Sequence, residues 1–369
     1  MKIVLLSRGG FNNPKSWSGT PYTIFNLLQK KIKVVEKHDW QINKNILRLY
    51  HLIYGKLFFI IGSARDPLLH FLFKRKVTSA LKNENRGNNW VLFIPDICIP
   101  DTIAEKCKFS VYTDALIPDM LPHVYAEDNK FGKKYVISYF EKYDKIYFER
   151  MSLIFTQNEW TREAIISRYS ILKEKVVNIG FGVNLQPFHG EKKYENDLLL
   201  IVLRKGTEKY KGLLLLLEAF KLLLKQKPLV KLAIVGTNIG KEYQNVTCYY
   251  KQPREVTVEL FKKASLYVMP ALHEPNGITY LEALANKTPI VGLNRFAVPE
   301  FSGYGEWGFI AQNEDPQELA NVISEALSDK RRLIEMGEKG QQFVMGRYQW
   351  DVVVDKMIQT YKDFDSKNN

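Results

Sequence analysis

Apolar runs separated by amphipathic segments recur along the chain and predict alternating strands and helices. In the first half, the predicted strands are residues 2–6, 91–95, 109–112, 153–156 and 176–180, and the predicted helices start near residues 21, 133 and 159. Residues 45–82 are predicted to be mostly helical and are rich in basic and aromatic side chains.

The second half alternates more regularly. Residues 198–203 are a continuous apolar run, which is typical of a strand buried on both faces. The elements predicted after it are a helix at 211–226, a strand at 232–236, helix–strand pairs at 254–264 with 266–270 and at 277–286 with 288–293, and a last helix at 350–364. Repeated alternation predicts parallel sheets with right-handed crossovers, and therefore an α/β fold with two Rossmann-like, doubly wound domains.

The length of 369 residues also favours two domains, because it exceeds one compact α/β core. The polar segment Glu191–Asp197 follows Pro187 and predicts an interdomain linker. The predicted division is an N-terminal domain at 1–187, a C-terminal domain at 188–348 and a final helical segment at 349–369.

Lysine and arginine outnumber aspartate and glutamate by 53 to 40, and the net charge of +13 favours an anionic partner. A solvated basic surface and a membrane surface both stay open, because basic clusters flank apolar runs such as Leu68–Phe73. Nucleic acid is not expected, since no binding motif accompanies the charge.

Three cysteines without metal or redox spacing predict buried free thiols. With no apolar run of roughly 18 to 20 residues, we expect a cytoplasmic protein, with attachment to the inner membrane face left open.

The loop Pro270–Gly277 follows a predicted strand, and parallel sheets bind ligands at the carboxyl ends of their strands. A helix is predicted to begin near Gly277, where free backbone N–H groups favour an anion. Glu274 precedes this helix and Glu282 lies within it, facing away from its apolar stripe.

Two acids eight residues apart are also compatible with a glycosidase pair. On a continuous helix they would lie roughly 12 Å apart. Hydrolases hold such carboxylates about 5 to 9.5 Å apart. The spacing therefore favours two hydrogen-bond acceptors for sugar and ribose hydroxyls.

A basic loop, Arg204–Gly212, follows the strand at 198–203. Arg204 can bind phosphate oxygens through a guanidinium fork, and Lys211 adds a point charge near the helix start. One such charge pair at 4 Å is worth up to about 4 kcal/mol before desolvation. The alternative is a solvated loop.

Near the N-terminus, Gly19 and Thr20 lead into the first helix, but the glycine spacing does not match a dinucleotide fingerprint. A nicotinamide-dependent oxidoreductase is therefore disfavoured.

Taken together, these segments resemble the retaining glycosyltransferases of family four, which have the GT-B fold. The matching residues are Glu274 and Glu282 of the E-x7-E motif, Arg204 and Lys211-Gly212 of the basic pair, the sequel Glu282–Pro289, the junction loop Phe181–Asn184 and the glycine-rich loop Ser18–Thr20. The resemblance covers most of the chain and leaves residues 40–90 unmatched.

The resemblance implies two domains facing a cleft, with the donor on the C-terminal domain and the acceptor on the N-terminal one. The expected substrates are a nucleotide-diphosphate sugar and a glycan or lipid-linked acceptor of surface polysaccharide or glycolipid synthesis. Transfer is expected to retain the anomeric configuration and to need no metal or other cofactor. The final helix is expected to pack back on the N-terminal domain.

The resemblance also assigns roles. The donor sugar is expected at Glu274, the ribose at Glu282 and the diphosphate at Arg204 and Lys211. Further donor contacts are expected from Gly19, Thr20 and the amides of Asn276, Gly277 and Ile278.

Two positions depart from the family. Asn276 stands where many members have Phe, and Asp114 stands near the place where many have His. We expect Asp114 to orient the acceptor or the donor sugar, and a buried capping aspartate is the alternative. An epimerase of the same fold and a catalytically silent nucleotide-sugar binder stay open as other functions.

Overall fold

The computed structural model of the protein describes residues 1–7, 9–14, 16–39, 43, 45, 48–49, 52, 67–82, 89–100, 107–116, 118, 130–240 and 242–368. The chain forms two compact units. Unit 1 comprises Met1–Gly180 together with Trp350–Asn369, and unit 2 comprises Phe181–Gln349. The chain therefore enters unit 2 after Gly180, seven residues before the boundary predicted at 187.

Unit 1 is built on a six-stranded parallel sheet with the order β2-β1-β3-β4-β5-β6. Its strands are β1 (Lys2–Ser7), β2 (Val35–Asp39), β3 (Asn89–Ile94), β4 (Lys108–Thr113), β5 (Leu153–Thr156) and β6 (Val176–Asn178). Its helices are α1 (Thr20–Lys31), α2 (Pro67–Ala80), α3 (Lys130–Glu149) and α4 (Glu159–Tyr169). The strands predicted in this half are confirmed, and β2 was not predicted.

Unit 2 repeats this architecture with the strand order β12-β11-β10-β7-β8-β9, again all parallel. Its strands are β7 (Leu198–Val202), β8 (Lys231–Val235), β9 (Val246–Tyr249), β10 (Leu266–Val268), β11 (Ile290–Leu293) and β12 (Gly308–Ala311). Its helices are α5 (Leu213–Gln226), α6 (Arg254–Lys263), α7 (Ile278–Ala285), α8 (Val298–Phe301), α9 (Pro316–Ser328) and α10 (Lys330–Arg347). The predicted α/β fold with two doubly wound sheets is confirmed.

The last helix, α11 (Trp350–Asn368), packs on unit 1 through aromatic contacts. The ring of Tyr361 lies 4.4 Å from the ring of Trp90 on β3, centroid to centroid. Its hydroxyl lies 2.6 Å from Ser110 Oγ on β4. Because all three side chains are fully buried, α11 is part of the core of unit 1 rather than a surface appendage.

The segment Glu191–Asp197, predicted as an interdomain linker, lies within unit 2. Lys192 and Tyr194 are buried within unit 2. Lys192 Nζ donates to Phe261 O at 2.8 Å, to Asn286 O at 3.2 Å and to the Thr288 hydroxyl. The Tyr194 hydroxyl donates to Lys287 O. Alternate polar residues therefore point inwards and bond the ends of α6 and α7.

The structure bears only in part on the predictions for the cysteines and for membrane contact. Cys98 is buried as predicted, but Cys107 and Cys248 are only half-buried, and none of the three forms a disulfide within the described residues. The basic and apolar residues between Lys44 and Lys82, for which membrane contact stays a prediction, are described only at 45, 48–49, 52 and 67–82, and the others lie outside the described residues. Within the described part of the chain, no helix combines the length and the apolar character that a bilayer crossing requires.

Candidate functional site

Two predicted loops leave the same edge of the sheet of unit 2. Strand β10 pairs in parallel with β7, so the segments after both strands start side by side. The backbone N–H groups of Leu272 and His273 both donate to Tyr210 O, at 2.8 and 3.0 Å. The basic loop after β7 and the acidic loop after β10 therefore form one hydrogen-bonded surface at the carboxyl ends of the strands, where such sheets bind ligands.

Gly212 permits this close approach. It precedes α5 with a left-handed backbone (φ 74°), and a Cβ atom there would lie 1.9 Å from Pro270 O. Any other residue would force the two loops apart. The glycine after Lys211 thus holds the lysine next to the loop that carries Glu274.

Lys211 and Glu274 contact each other directly. Lys211 Nζ lies 3.1 Å from Glu274 Oε2, and the Gly277 amide donates to Glu274 Oε1 at 3.1 Å. The Lys211 side chain is only 10% exposed, so solvent screens this ion pair weakly. Each oxygen of the Glu274 carboxylate therefore has a fixed donor, and the predicted cation and acid form one cluster.

Helix α7 begins after this cluster, as predicted. Gly277 is its N-cap with φ 64°, and no side chain caps the helix. Asn276 is half-buried in front of the helix, and Ile278 is its first residue. Of the predicted donor amides, that of Gly277 already donates to Glu274. The start of α7 is therefore organised around the Glu274 carboxylate.

Glu282 lies one turn further along α7 with a side chain that is only 13% exposed. Burial raises the pKa of Glu282 to about 7, although the positive charges of Arg254 and Lys211 act to lower that pKa. Arg254 Nη2 lies 3.5 Å from Glu282 Oε1. A carboxylate with this pKa changes its charge near neutral pH, and its strength as a hydrogen-bond acceptor then changes as well.

Buried tyrosines fix α7 on the sheet beneath these acids. Tyr267 on β10 donates its hydroxyl to Thr279 Oγ1 at 2.7 Å. The Tyr280 hydroxyl donates to Met269 O. Both tyrosines are fully buried. The helix is therefore held rigidly, and so are the positions of Glu274 and Glu282 at its start and middle.

Arg204 lies in the same basic loop but extends into solvent. Its backbone is fixed by Thr207, whose hydroxyl donates to Arg204 O at 2.7 Å while accepting from Arg204 N at 3.1 Å. Glu208 follows, and its Oε1 accepts from the Thr237 hydroxyl at 2.6 Å. The loop backbone is thus ordered while the guanidinium of Arg204 is exposed to incoming anions.

The remaining predicted residues belong to unit 1. Gly19 has φ 79° before α1, and a Cβ there would lie 2.8 Å from Pro14 O. Thr20 is buried at the start of α1. Asp114 follows β4, and its carbonyl oxygen accepts from the Thr161 hydroxyl at 2.8 Å. Glycine is required at position 19 by both the backbone angle and the close approach.

The site in unit 2 combines cations, hydrogen-bond acceptors and a helix start, which suits a ligand with both phosphate and hydroxyl groups. Among the residues that the structure describes, no group of three or more His, Cys, Asp or Glu side chains is arranged to hold a metal ion. Arg254 was not predicted, because its contact with Glu282 joins two different helices.

Residues 188–343 match the family model described as Glycosyl transferases group 1. This part of the chain is similar to the group 1 glycosyl transferases. The match includes β7 to β12 and therefore the whole cluster around Glu274 and Glu282.

Two curated relatives are glycosyltransferases by name. A D-inositol 3-phosphate glycosyltransferase from Corynebacterium urealyticum is 29% identical over 30% of this chain and 26% of its own length. The capsular polysaccharide biosynthesis glycosyltransferase CapM from Staphylococcus aureus is 23% identical over 63% of this chain and 67% of its own length. Across three curated relatives, the one from Corynebacterium urealyticum included, the matched part of this chain spans 26% to 59% of the relative's length.

A solved structure extends the likeness to both units. The Anabaena HepE protein, crystallised with UDP and glucose, has a TM-score of 0.63 at 15% identity. The alignment covers 98% of this chain and 99% of that one. At this identity the likeness shows the fold, and the predicted GT-B fold is confirmed.

Proposed function

We propose that the protein transfers a sugar from a nucleotide-diphosphate sugar to a glycan or lipid-linked acceptor. In this proposal the transfer retains the anomeric configuration and needs no metal. The observation that carries the proposal is the cluster of Lys211, Glu274 and the Gly277 amide at the carboxyl ends of β7 and β10.

Transfer from such a donor leaves negative charge on the departing diphosphate. Lys211 supplies a largely buried positive charge at the start of α5, and Arg204 supplies an exposed guanidinium in the same loop. Fixed charges in a site with little water stabilise developing charge more strongly than solvent does. These two cations therefore take the role that a divalent ion has in other transferases.

The two acids are assigned to opposite ends of the donor. Glu274 accepts hydroxyl groups of the transferred sugar, and Glu282 accepts hydroxyl groups of the ribose. The hydrogen bonds of Tyr267 and Tyr280 fix α7 on the sheet and so hold both acids in place. This supports the assignment, because catalysis depends strongly on how the bound donor is oriented.

The proposed chemistry balances without a protein nucleophile. The bond between the anomeric carbon and the diphosphate oxygen breaks, and a bond from that carbon to the acceptor oxygen forms on the same face. The proton of the acceptor hydroxyl leaves with the nucleoside diphosphate. Asp114, Gly19 and Thr20 of unit 1 remain candidates for contacts with the acceptor and the donor phosphates.

Surface polysaccharide or glycolipid is the proposed product class. The name of the Staphylococcus aureus relative, a capsular polysaccharide glycosyltransferase, supports this choice. The net charge of +13 supports an anionic acceptor or attachment to an anionic membrane surface.

The test is an assay of purified protein against UDP-, GDP-, ADP- and dTDP-sugars, with and without a chelator. We expect one donor to be hydrolysed slowly or transferred, with equal rates in chelator. Lys211→Met and Glu274→Gln are each expected to lower kcat by about 100-fold. Lys209→Met, which changes an exposed lysine of the same loop, is the matched control. Formation of a donor isomer without acceptor would instead indicate an epimerase, and binding without turnover would indicate a silent binder.

A further inference from the structure

Arg254 contacts both the backbone of Asn184 and the side chain of Glu282, and the proposed function gives it no role. It is the first residue of α6, and its side chain is 57% exposed. Its Nη2 atom donates to Asn184 O at 3.1 Å and lies 3.5 Å from Glu282 Oε1. An exposed arginine normally samples many rotamers, but two acceptors on one nitrogen restrict this one.

The carbonyl of Asn184 is itself on an anchored segment. Val183 N donates to Tyr348 O at 2.8 Å, and Phe181 packs against Tyr348 with ring centroids 5.7 Å apart. The carbonyl therefore serves as a fixed point for the guanidinium. The hydrogen bond to Asn184 O therefore orients the Arg254 guanidinium towards Glu282.

The contact with Glu282 uses only one carboxylate oxygen, Oε1. Within the described part of the chain, the Glu282 side chain has no second hydrogen-bond partner. The other charged group acting on it is Lys211, which already contacts Glu274. Glu282 thus has one oxygen held by a cation and one oxygen available to a ligand hydroxyl.

We propose that Arg254 is a positioning residue for the nucleotide: it holds Oε1 of the Glu282 carboxylate and keeps that carboxylate ionised, so that Oε2 accepts the ribose hydroxyls. This inference rests on the proposed function, because it assumes that Glu282 binds ribose. An ionised carboxylate forms hydrogen bonds roughly twice as strong as a neutral acceptor does. Arg254 acts through Glu282 and does not take part in the transfer step.

The pKa of Glu282 makes this role measurable. Since burial already raises that pKa to about 7, the carboxylate is only partly ionised at neutral pH. Removing the Arg254 charge raises the pKa of Glu282 further. Nucleotide affinity is then expected to fall most near neutral pH and to recover as the pH rises.

The experiment measures the Kd of nucleoside diphosphates by calorimetric titration, using whichever of UDP, GDP, ADP and dTDP the wild-type protein binds most tightly. Four proteins are compared: wild type, Arg254→Gln, Glu282→Gln and the double variant. We expect Arg254→Gln to weaken binding about threefold to fivefold at pH 7, which is the range of an exposed ion pair. We expect no further effect of this change in the Glu282→Gln background, because coupled residues are not additive.

Two additional variants separate positioning from general damage. Arg254→Lys keeps the charge and is expected to recover much of the affinity at pH 7. Lys263→Gln removes an exposed cation from the other end of α6 and is expected to bind like wild type.

Equal Kd values for wild type and Arg254→Gln across pH 6 to 9, or equal losses in both backgrounds, would overturn the inference. Absence of any nucleotide binding by wild type would instead overturn the proposed function, so the two failures are distinguishable.

Discussion

The ammonium group of Lys211 lies 3.1 Å from the carboxylate of Glu274, although the two residues are 63 positions apart and leave different strands. The pair exists because β7 and β10 are neighbours in the sheet and because Gly212 allows their loops to touch. The charge that the proposed function needs is therefore present in the folded chain and is balanced by an acid of the same site.

The first prediction concerns the stability of this pair. Lys211→Met leaves Glu274 largely buried beside a neutral side chain, and we expect a loss of about 1 to 3 kcal/mol in the free energy of unfolding. The double variant with Glu274→Gln is expected to recover part of this loss, since the unpaired charge is removed as well. Urea denaturation at pH 7 measures both. A double variant whose loss equals the sum of the two single losses would contradict a direct interaction.

The second prediction compares two glycines of one loop. Gly212→Ala places a methyl group 1.9 Å from Pro270 O at φ 74°, and we expect a protein that is unfolded or destabilised by more than about 4 kcal/mol. Gly206→Ala meets no atom within 4 Å and has only the unfavourable φ of 87°. Its expected cost is about 1 to 2 kcal/mol. Thermal unfolding of both variants measures the difference. Similar melting temperatures would contradict the prediction, because they would show that the loops after β7 and β10 can separate without cost.

The third prediction follows from the pKa of Glu282, which burial raises to about 7. The folded state holds this proton more tightly than the unfolded state. The stabilisation is therefore complete below the unfolded pKa near 4.5 and is lost as the pH rises through 7. Relative to Glu282→Gln, wild type is expected to lose about 3 kcal/mol across this window.

The measurement is denaturant unfolding at pH 4.5, 6 and 7.5, in which other titrating groups cancel between wild type and Glu282→Gln. Glu255→Gln, an exposed carboxyl on α6, is the control and is expected to follow wild type. Parallel profiles for wild type and Glu282→Gln would show that Glu282 titrates normally.

The fourth prediction concerns Lys192, which has three acceptors in the core of unit 2. Lys192→Met leaves the carbonyls of Phe261 and Asn286 without this donor, at an expected cost of about 1 to 3 kcal/mol. Lys193→Met changes the exposed neighbour and is expected to be neutral. Equal stability of the two variants at pH 7 would contradict the role assigned to Lys192.

Burial lowers the pKa of Lys192 well below that of ordinary lysines, so the folded chain releases the Lys192 proton at a lower pH than the unfolded chain does. The stability of wild type is therefore expected to rise with pH towards the lysine value of 10.5, and Lys192→Met is expected to lack this rise. Unfolding curves at pH 8, 9 and 10 measure the difference.

The strands that could be predicted are those whose burial is visible in composition. The residues of β7, Leu198–Val202, are all apolar because neighbours cover both faces. In contrast, β2 reads Val-Glu-Lys-His-Asp and β9 reads Val-Thr-Cys-Tyr, and both are edge strands with exposed positions. Exposed edge strands such as these two are defined by their pairing partners, which no local pattern contains.

The same distinction applies to the candidate site. Lys211, Glu274 and Gly277 were predicted because each follows a recognisable strand or starts a helix. Arg254 was missed because its contact with Glu282 depends on how α6 packs beside α7, and Lys192 was missed because a lysine in a polar segment is normally solvated. The acceptors that offset the cost of burying Lys192 are distant in sequence, and only the tertiary structure brings them to its side chain.

The buried contacts of Tyr361 with Trp90 and Ser110 have a consequence for synthesis on the ribosome. Unit 2 is one continuous segment and has all of its strands once residue 349 has emerged. Unit 1 is discontinuous, and its sheet lacks the α11 side of its core until residues 350–369 are translated. We therefore expect unit 2 to reach its native structure before unit 1, whose core is completed only when residues 350–369 have emerged.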